Sequence, residues 1–267
     1  MTIIIFFILG LIIGSFLNVV VYRLNIAETL LGRSYCPKCK NKIVWYDNIP
    51  VLSFILLRAS CRKCKKKISW QYPLVEILTG IIFAIIGVAY FSAASYSTWI
   101  FVAYLLIISS LLLVILIYDF LYLEIPMLVF WPAISLAIIF NLYFDWADNH
   151  FGNYWLNQST TSGVIASAFG FVFFFSLVVF SKEEWMGMGD VYLVVLLGLI
   201  LGWPQILMAL FLAFSIGAVC GIILIGFKKK TMTSQVPFAP FLIIGTFITL
   251  FFYNFLLSWY LSFFRLG

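Results

Sequence analysis

Runs of about 20 apolar residues recur along this chain, and nothing else constrains its fold as strongly. A helix that crosses a bilayer needs a run of that length, because all of its backbone polar groups must be satisfied within the segment. Eight candidates emerge, near 3–22, 74–94, 99–117, 127–144, 162–180, 190–203, 204–226 and 241–262. They are continuously apolar rather than alternating, which argues against a transmembrane barrel. Apolar residues make up 64% of the 267 and charged residues 10%, more apolar surface than a soluble domain of this size can bury. The expected fold class is an all-α polytopic membrane protein of about eight transmembrane helices. The sixth candidate is short and ends at Trp203-Pro204, so 190–226 can be read as two helices or as one broken helix.

Charge sets the expected orientation. The first span lacks a basic segment ahead of it and a small-residue cleavage site, so it reads as a retained helix rather than a signal peptide. Basic residues begin at Arg23, which places the amino terminus outside. Eight spans then put 23–73, 118–126, 181–189 and 227–240 in the cytoplasm. Those segments hold 15 of the 16 Lys and Arg residues, leaving Arg265 outside. Merging spans six and seven would move Lys228 to Lys230 outside, so the positive-inside rule favours eight. The net charge of +6 is then a topology signal, and no nucleic-acid partner is expected. The basic segment between the first two spans would instead face anionic lipid headgroups.

That segment contains an internal repeat. Residues 36–45 and 61–70 are identical at seven of ten positions, each a CxxC turn followed by Lys, Ile and Trp. Cys36, Cys39, Cys61 and Cys64 have the spacing of a tetrahedral four-cysteine zinc site. Two disulfides or four free thiols are the alternatives, and a cytoplasmic location disfavours disulfides. Four thiolates leave no open position, so such a zinc is structural. Ile and Trp of each repeat can pack over the turn. The expected organisation is a first helix at 1–22, a zinc-ribbon-like cytoplasmic insertion at 23–73 and a seven-helix membrane domain at 74–267. Cys220, within a span, reads as a packing residue.

Two acids lie against the spans. Asp119 ends the third span as it reaches the cytoplasm, and Asp190 begins the sixth as it leaves, closing Gly187-Met188-Gly189-Asp190. An ionisable group in such a place marks function by default. Two carboxyls at one site are the working parts of an aspartic protease. Asp190 also stands where an N-cap would, and Asp119 could be a solvated interfacial residue. Helix polarity suggests different roles: Asp190 ionised and activating water, Asp119 protonated and polarising a carbonyl. Gly187 and Gly189 give a backbone that an extended substrate strand can approach. Glu124, Glu183 and Glu184 lie beside the acids in this topology and can attract a basic segment, or they are simply solvated. His150, with Asp145 and Asp148, falls in an expected external loop, so no histidine-based triad can be assembled.

Taken in order, these motifs resemble those of the bacterial type IV prepilin peptidases, of the GxGD class of intramembrane aspartic proteases. The likeness also includes Gly14-Ser15-Phe16-Leu17-Asn18, Asp47-Asn48-Ile49-Pro50, Gln71-Tyr72-Pro73-Leu74-Val75-Glu76, Ile125-Pro126 and Pro237-Phe238-Ala239-Pro240. The resemblance implies cleavage of the basic leader of prepilins and pseudopilins, after a glycine, at the cytoplasmic face of the bacterial inner membrane. It implies Asp119 and Asp190 as the catalytic pair and the four cysteines as zinc ligands. Many members also methylate the new amino terminus with S-adenosylmethionine. Met127 and Tyr192 depart from the family, which often carries an acid and a lysine there. Asn18 and Glu76 read by default as interhelical hydrogen-bonding groups, and no Gly-rich motif marks a methyl-donor site. A peptidase without methyltransferase activity is one alternative. A zinc-containing membrane transporter or scaffold is another, although it leaves the unfavourably placed Asp119 unexplained.

Overall fold

A computed structural model describes residues 2–91, 96–151, 160–184, 186–226 and 237–265. Among these residues there are nine α-helices, one 3-10 helix at Trp45–Asn48 and no strand. The helices are α1 Thr2–Asn25, α2 Leu52–Leu56, α3 Gln71–Tyr90, α4 Tyr96–Tyr122, α5 Met127–Phe151, α6 Thr160–Ser181, α7 Met188–Leu201, α8 Gln205–Gly226 and α9 Ala239–Arg265. All except α2 and α7 are long and apolar enough to cross a membrane, which makes this a multi-pass membrane protein. The expectation of about eight spans thus resolves into seven long helices and one short one. Helix α7, with 14 residues, extends about 21 Å at 1.5 Å per residue, short of a hydrocarbon core of about 30 Å.

The chain divides into two compact units, residues 1–114 and 115–267, with the boundary inside α4. In the first, α1 and α3 run antiparallel. Phe6 packs at Gly87, Gly10 at Gly80 and Gly14 at Glu76, a small-residue seam that lets two backbones approach closely. Between these helices lies the four-cysteine loop. Arg23, 4% exposed, organises its entry. Its guanidinium donates to the carbonyls of Thr29, Leu30, Leu31, Gly32 and Arg33.

In the second unit, α7 is the centre. Nine of its 14 residues are buried, which accounts for its apolar character all round: it is sheathed by protein on most sides. Antiparallel to it runs α6, with Ser167 at Gly198 and Gly163 at Leu199. Helix α5 runs parallel to it, pairing the Phe130 and Tyr192 rings and, farther along, donating from Asn141 Nδ2 to Leu199 O at 2.9 Å. The question of 190–226 is settled by direction. Trp203 sits at Ser162 and Phe214 at Phe174, so α8 runs parallel to α6 and antiparallel to α7. These are two helices joined by a reversal. Gly202, at φ 71°, terminates α7 in a backbone region that favours glycine. Helix α9 returns along α8, placing Gly245 at Ala209 and Gly217 at Phe241.

One expected loop is helical. Residues 145–151 belong to α5, so His150 stands on a helix rather than in a solvated loop. The Asp145 carboxylate accepts the Thr160 N–H at the start of α6, a capping role. Lys228 to Lys230 lie outside the described residues.

Candidate active site

Asp119 lies in the last turn of α4, where its carbonyl accepts the N–H of Leu123. The turn that follows carries Glu124, Ile125 and Pro126 into α5. Asp190 is the third residue of α7. The N-cap is Gly187, which corrects the reading of Asp190 as a cap. Gly187 has φ −82° and ψ 160°, extended backbone open to any residue, so it does not supply an unusual conformation. Gly189 is needed for space: a Cβ there would stand 3.2 Å from Ile125 Cδ1. Ile125 therefore seats the end of α4 against the beginning of α7.

The ends of α4 and α6 and the beginnings of α5, α7 and α9 share one end of the unit. There the two acids come within electrostatic reach of each other. Asp119 is 7% exposed and its Oδ2 has no hydrogen-bond partner among the described residues. The carboxyl also accepts the backbone N–H of Ala239, the first residue of α9. That contact was not legible in the sequence, where Pro237-Phe238-Ala239-Pro240 was only a motif. It alters the argument from helix polarity: Asp119 sits at the negative end of α4 and at the positive end of α9, so these two dipoles oppose. Which acid holds a shared proton is then a property of the pair. Glu124, Glu183 and Glu184 are exposed on the turns beside it.

The cysteine loop translates its repeat into structure. Cys36 N–H donates to Asn41, Lys40 to Cys36 and Ile43 to Ser34; Cys61 donates to Lys66, Lys65 to Cys61 and Ile68 to Ala59. Lys40 and Lys65 both turn with positive φ, 55° and 56°, and isolated bridges pair Tyr35 with Lys42 and Ser60 with Lys67. Two turns with the same hydrogen-bond pattern thus bring four thiols together. All four sulfurs lie within 4.8 Å of one another, with Cys36 and Cys64 Sγ at 4.0 Å. Tetrahedral bonds of about 2.3 Å separate sulfurs by roughly 3.8 Å, whereas a disulfide needs about 2.05 Å. The set can hold a metal ion. The backbone N–H groups of Cys64 and Lys63 draw the Cys61 thiol down to about 7. At Cys64 the Lys66 N–H also lowers the value, but desolvation and the neighbouring thiols outweigh it and carry it up to about 11. Of these two, the Cys61 thiolate forms the more readily. The tryptophans do not cover the turns as expected: Trp45 and Trp70 are exposed, and Trp70 meets Phe54. Arg62 holds Asp47 through two hydrogen bonds of 2.8 and 2.7 Å, keeping its carboxyl below the ordinary range.

A polytopic helical membrane protein with a carboxyl pair at one helix-bundle end and a four-thiol centre in a loop is a narrowly defined class. Residues 8–90 match the Bacterial Peptidase A24 N-terminal domain and 106–222 the Type IV leader peptidase family. Relatives named prepilin leader peptidase/N-methyltransferase include one from Myxococcus xanthus, 34% identical over 228 residues, covering 82% of this chain and 62% of that protein. Another, from Aeromonas salmonicida, is 30% identical over 291 residues, covering 96% and 92%. One from Pseudomonas aeruginosa is 29% identical over 270 residues, covering 91% and 87%. No solved structure matches the chain. The chain belongs to the type IV leader peptidase family.

Proposed function

We propose that this protein removes the basic leader from prepilins or pseudopilins at the cytoplasmic face of a bacterial inner membrane, and then methylates the new amino terminus. The meeting of Asp119 and Asp190 at one end of the second unit carries this reading. One ionised carboxylate takes a proton from a water molecule while the other carboxyl gives its proton to the scissile carbonyl oxygen. The water oxygen adds to the carbonyl carbon. Collapse of that adduct breaks the peptide C–N bond, and the departing amine takes a proton back from the pair. The unpartnered Oδ2 of Asp119 is available for such a proton.

The charge distribution supports an orientation in which loop 23–73, the two acids and the three exposed glutamates are cytoplasmic. Glu124, Glu183 and Glu184 then form an acidic approach for a Lys- or Arg-rich leader, while its apolar helix stays in lipid. Residues Gly187 and Gly189 border the place where an extended strand would lie. Cys36, Cys39, Cys61 and Cys64 hold zinc, which fixes the loop and takes no part in hydrolysis. For methylation, S-adenosylmethionine supplies the carbon: the amine lone pair forms the C–N bond, the C–S pair stays on sulfur and a proton leaves to water.

The test uses purified protein and a prepilin carrying a Lys-rich leader, read by mass. Asp119→Asn and Asp190→Asn each abolish cleavage, and the wild-type product carries the mass of one added methyl. Retention of most activity by either variant rejects the two-acid mechanism. A cleaved product without added mass leaves a peptidase alone.

A further inference from the structure

Helix α2 is apolar beyond what its packing needs. Its sequence is Leu52-Ser53-Phe54-Ile55-Leu56, and only Phe54 is buried. Phe54 meets the Trp70 ring, with centroids 5.0 Å apart. Leu52, Ile55 and Leu56 share the opposite face, at the i, i+3, i+4 spacing, and are 58%, 63% and 80% exposed. Clustered exposed apolar side chains mark an interaction surface.

The height of α2 in the fold says which surface. The Val51 N–H, just ahead of α2, donates to Glu76 Oε2 at 2.8 Å. Glu76 is in the second turn of α3 and faces Gly14 of α1. Gly14 lies nine residues before Arg23, the first charged side chain of α1, roughly 13 Å along the axis. The Glu76 side chain leans toward the start of its own helix, which recovers only part of that length. Helix α2 therefore begins level with the apolar part of two membrane-spanning helices, not beyond it. From there it runs outward, since Phe54 meets Trp70 one residue before α3. Trp70 is itself exposed and heads a stripe on α3, followed by exposed Leu74, Ile77, Leu78 and Ile81. That stripe is the face a span gives to lipid, and α2 continues it sideways through Trp70.

Charge follows in the same direction. Exposed Arg58 comes two residues after α2. The Ile68 N–H donates to Ala59 O at 2.8 Å, which ties the exposed lysines of the second cysteine turn, Lys65 to Lys67, beside it. Apolar side chains and then basic ones is the order of a bilayer from acyl chains to phosphates.

We propose that α2 is an interfacial membrane element. Leu52, Ile55, Leu56 and Trp70 lie among acyl chains, and Arg58 and Lys65 meet anionic headgroups. The four-thiol loop is then seated on the bilayer by its own apolar helix as well as by the spans on either side of it.

Purified full-length protein in lipid nanodiscs tests this, with a fluorescent amino acid in place of Ile55 or, for comparison, of Leu78 on the α3 stripe. Lipids brominated on the acyl chain should quench the probe at 55 to within about twofold of the probe at 78, and aqueous iodide should reach neither well. Strong iodide quenching at 55 without quenching by brominated lipid overturns the proposal. So does shielding that appears only when a prepilin is added, or only with two copies in a disc, because a substrate helix or a second copy would then be the occupant. A second measurement needs no label. In phosphatidylglycerol discs, Leu52→Ser, Ile55→Ser and Leu56→Ser together should speed tryptic cleavage after Arg58 at least about fivefold, with the metal content unchanged as a check on the fold. Wild-type protein should be cut there several-fold faster when phosphatidylcholine replaces phosphatidylglycerol. Equal cleavage of the two proteins, or indifference of the wild type to headgroup charge, also overturns the proposal.

Discussion

Replacing Gly198 with alanine tests whether the packing of α7 sets the geometry of the proposed aspartate pair. A Cβ at Gly198 would stand 2.6 Å from Ser167 N, 2.7 Å from Ser167 Cα and 2.8 Å from Ser167 Oγ, where contact becomes ordinary only at 3.4 Å. Two of those atoms are backbone and cannot rotate away, so α6 and α7 must separate by somewhat under 1 Å. Overpacking of this kind costs about 1–3 kcal/mol, and the better helix propensity of alanine returns about 1 kcal/mol. The net loss of stability is therefore modest. The effect on activity is larger. Asp190 lies eight residues earlier on the same helix, about 12 Å along its axis, and a misplacement near 1 Å can cost about 100-fold in rate. We expect kcat/KM for leader cleavage to fall at least about tenfold while the melting temperature falls by only a few degrees. Gly221→Ala is the control. It is the same substitution on α8, at a position with nothing within 4 Å of the new methyl, and it should leave cleavage unchanged. Wild-type cleavage by Gly198→Ala, or equal damage from Gly221→Ala, would refute the argument.

Cys36→Ser should lose the bound metal, measured by elemental analysis, and open the segment 34–69 to protease, because three thiolates cannot replace the closed four-sulfur set. Neutralising Glu124, Glu183 and Glu184 together should raise KM for a Lys-rich leader several-fold and blunt its salt dependence; equal processing at low salt would dismiss the acidic approach. The Asp47 carboxyl is held below the ordinary range by its hydrogen bonds from Arg62. Its contribution to the loop is therefore present above the unfolded carboxylate pKa and lost as pH falls through the lower folded value. Asp47→Asn should remove that acid-dependent step from the fluorescence of Trp45 and Trp70 while leaving the neutral-pH spectrum nearly intact. Arg23→Lys should speed amide exchange across 29–33, since an ammonium cannot span the five carbonyls that the planar guanidinium reaches.

The parts of this protein legible in its sequence are those governed by local rules. Continuous apolar runs announced the helices, and the CxxC repeat announced the four-thiol centre down to a shared hydrogen-bond pattern. Span six was harder, because an all-round apolar run of 14 residues looks alike whether lipid or protein surrounds it. Only its neighbours, with Asn141 at Leu199 and Ser167 at Gly198, show that protein covers it. Residues 145–151 misled because their polarity suggested a loop, whereas α5 continues through them and Asp145 caps α6. Arg23 carried no signal of its role, whereas Asn18, read as an interhelical hydrogen-bonding group, does donate from α1 to Tyr72 O on α3, and only its unpartnered oxygen went unannounced. A caged guanidinium and an orphan amide oxygen are both defined by backbone carbonyls from other parts of the chain, which composition and periodicity do not report.

The Ala239 contact shows how the shortness of α7 and the placement of the acids belong together. A span of full length would need its polar first turn at the headgroups. Helix α7 is about a third shorter than the hydrocarbon core and is covered by α5, α6, α8 and α9, so lipid does not dictate where it starts. Its position is set by packing: Ile125 against Gly189 at one end, Asn141 and Ser167 farther along. Asp190 can therefore be held half-buried and beside Asp119 rather than at whatever depth a bilayer would impose. Asp119 in turn needs a donor there, because its own helix offers only carbonyl ends, and the first N–H of α9 supplies one. The end of this unit that carries the two acids is thus a junction of helix termini, in which each acid's place is fixed by a helix other than the one that carries it.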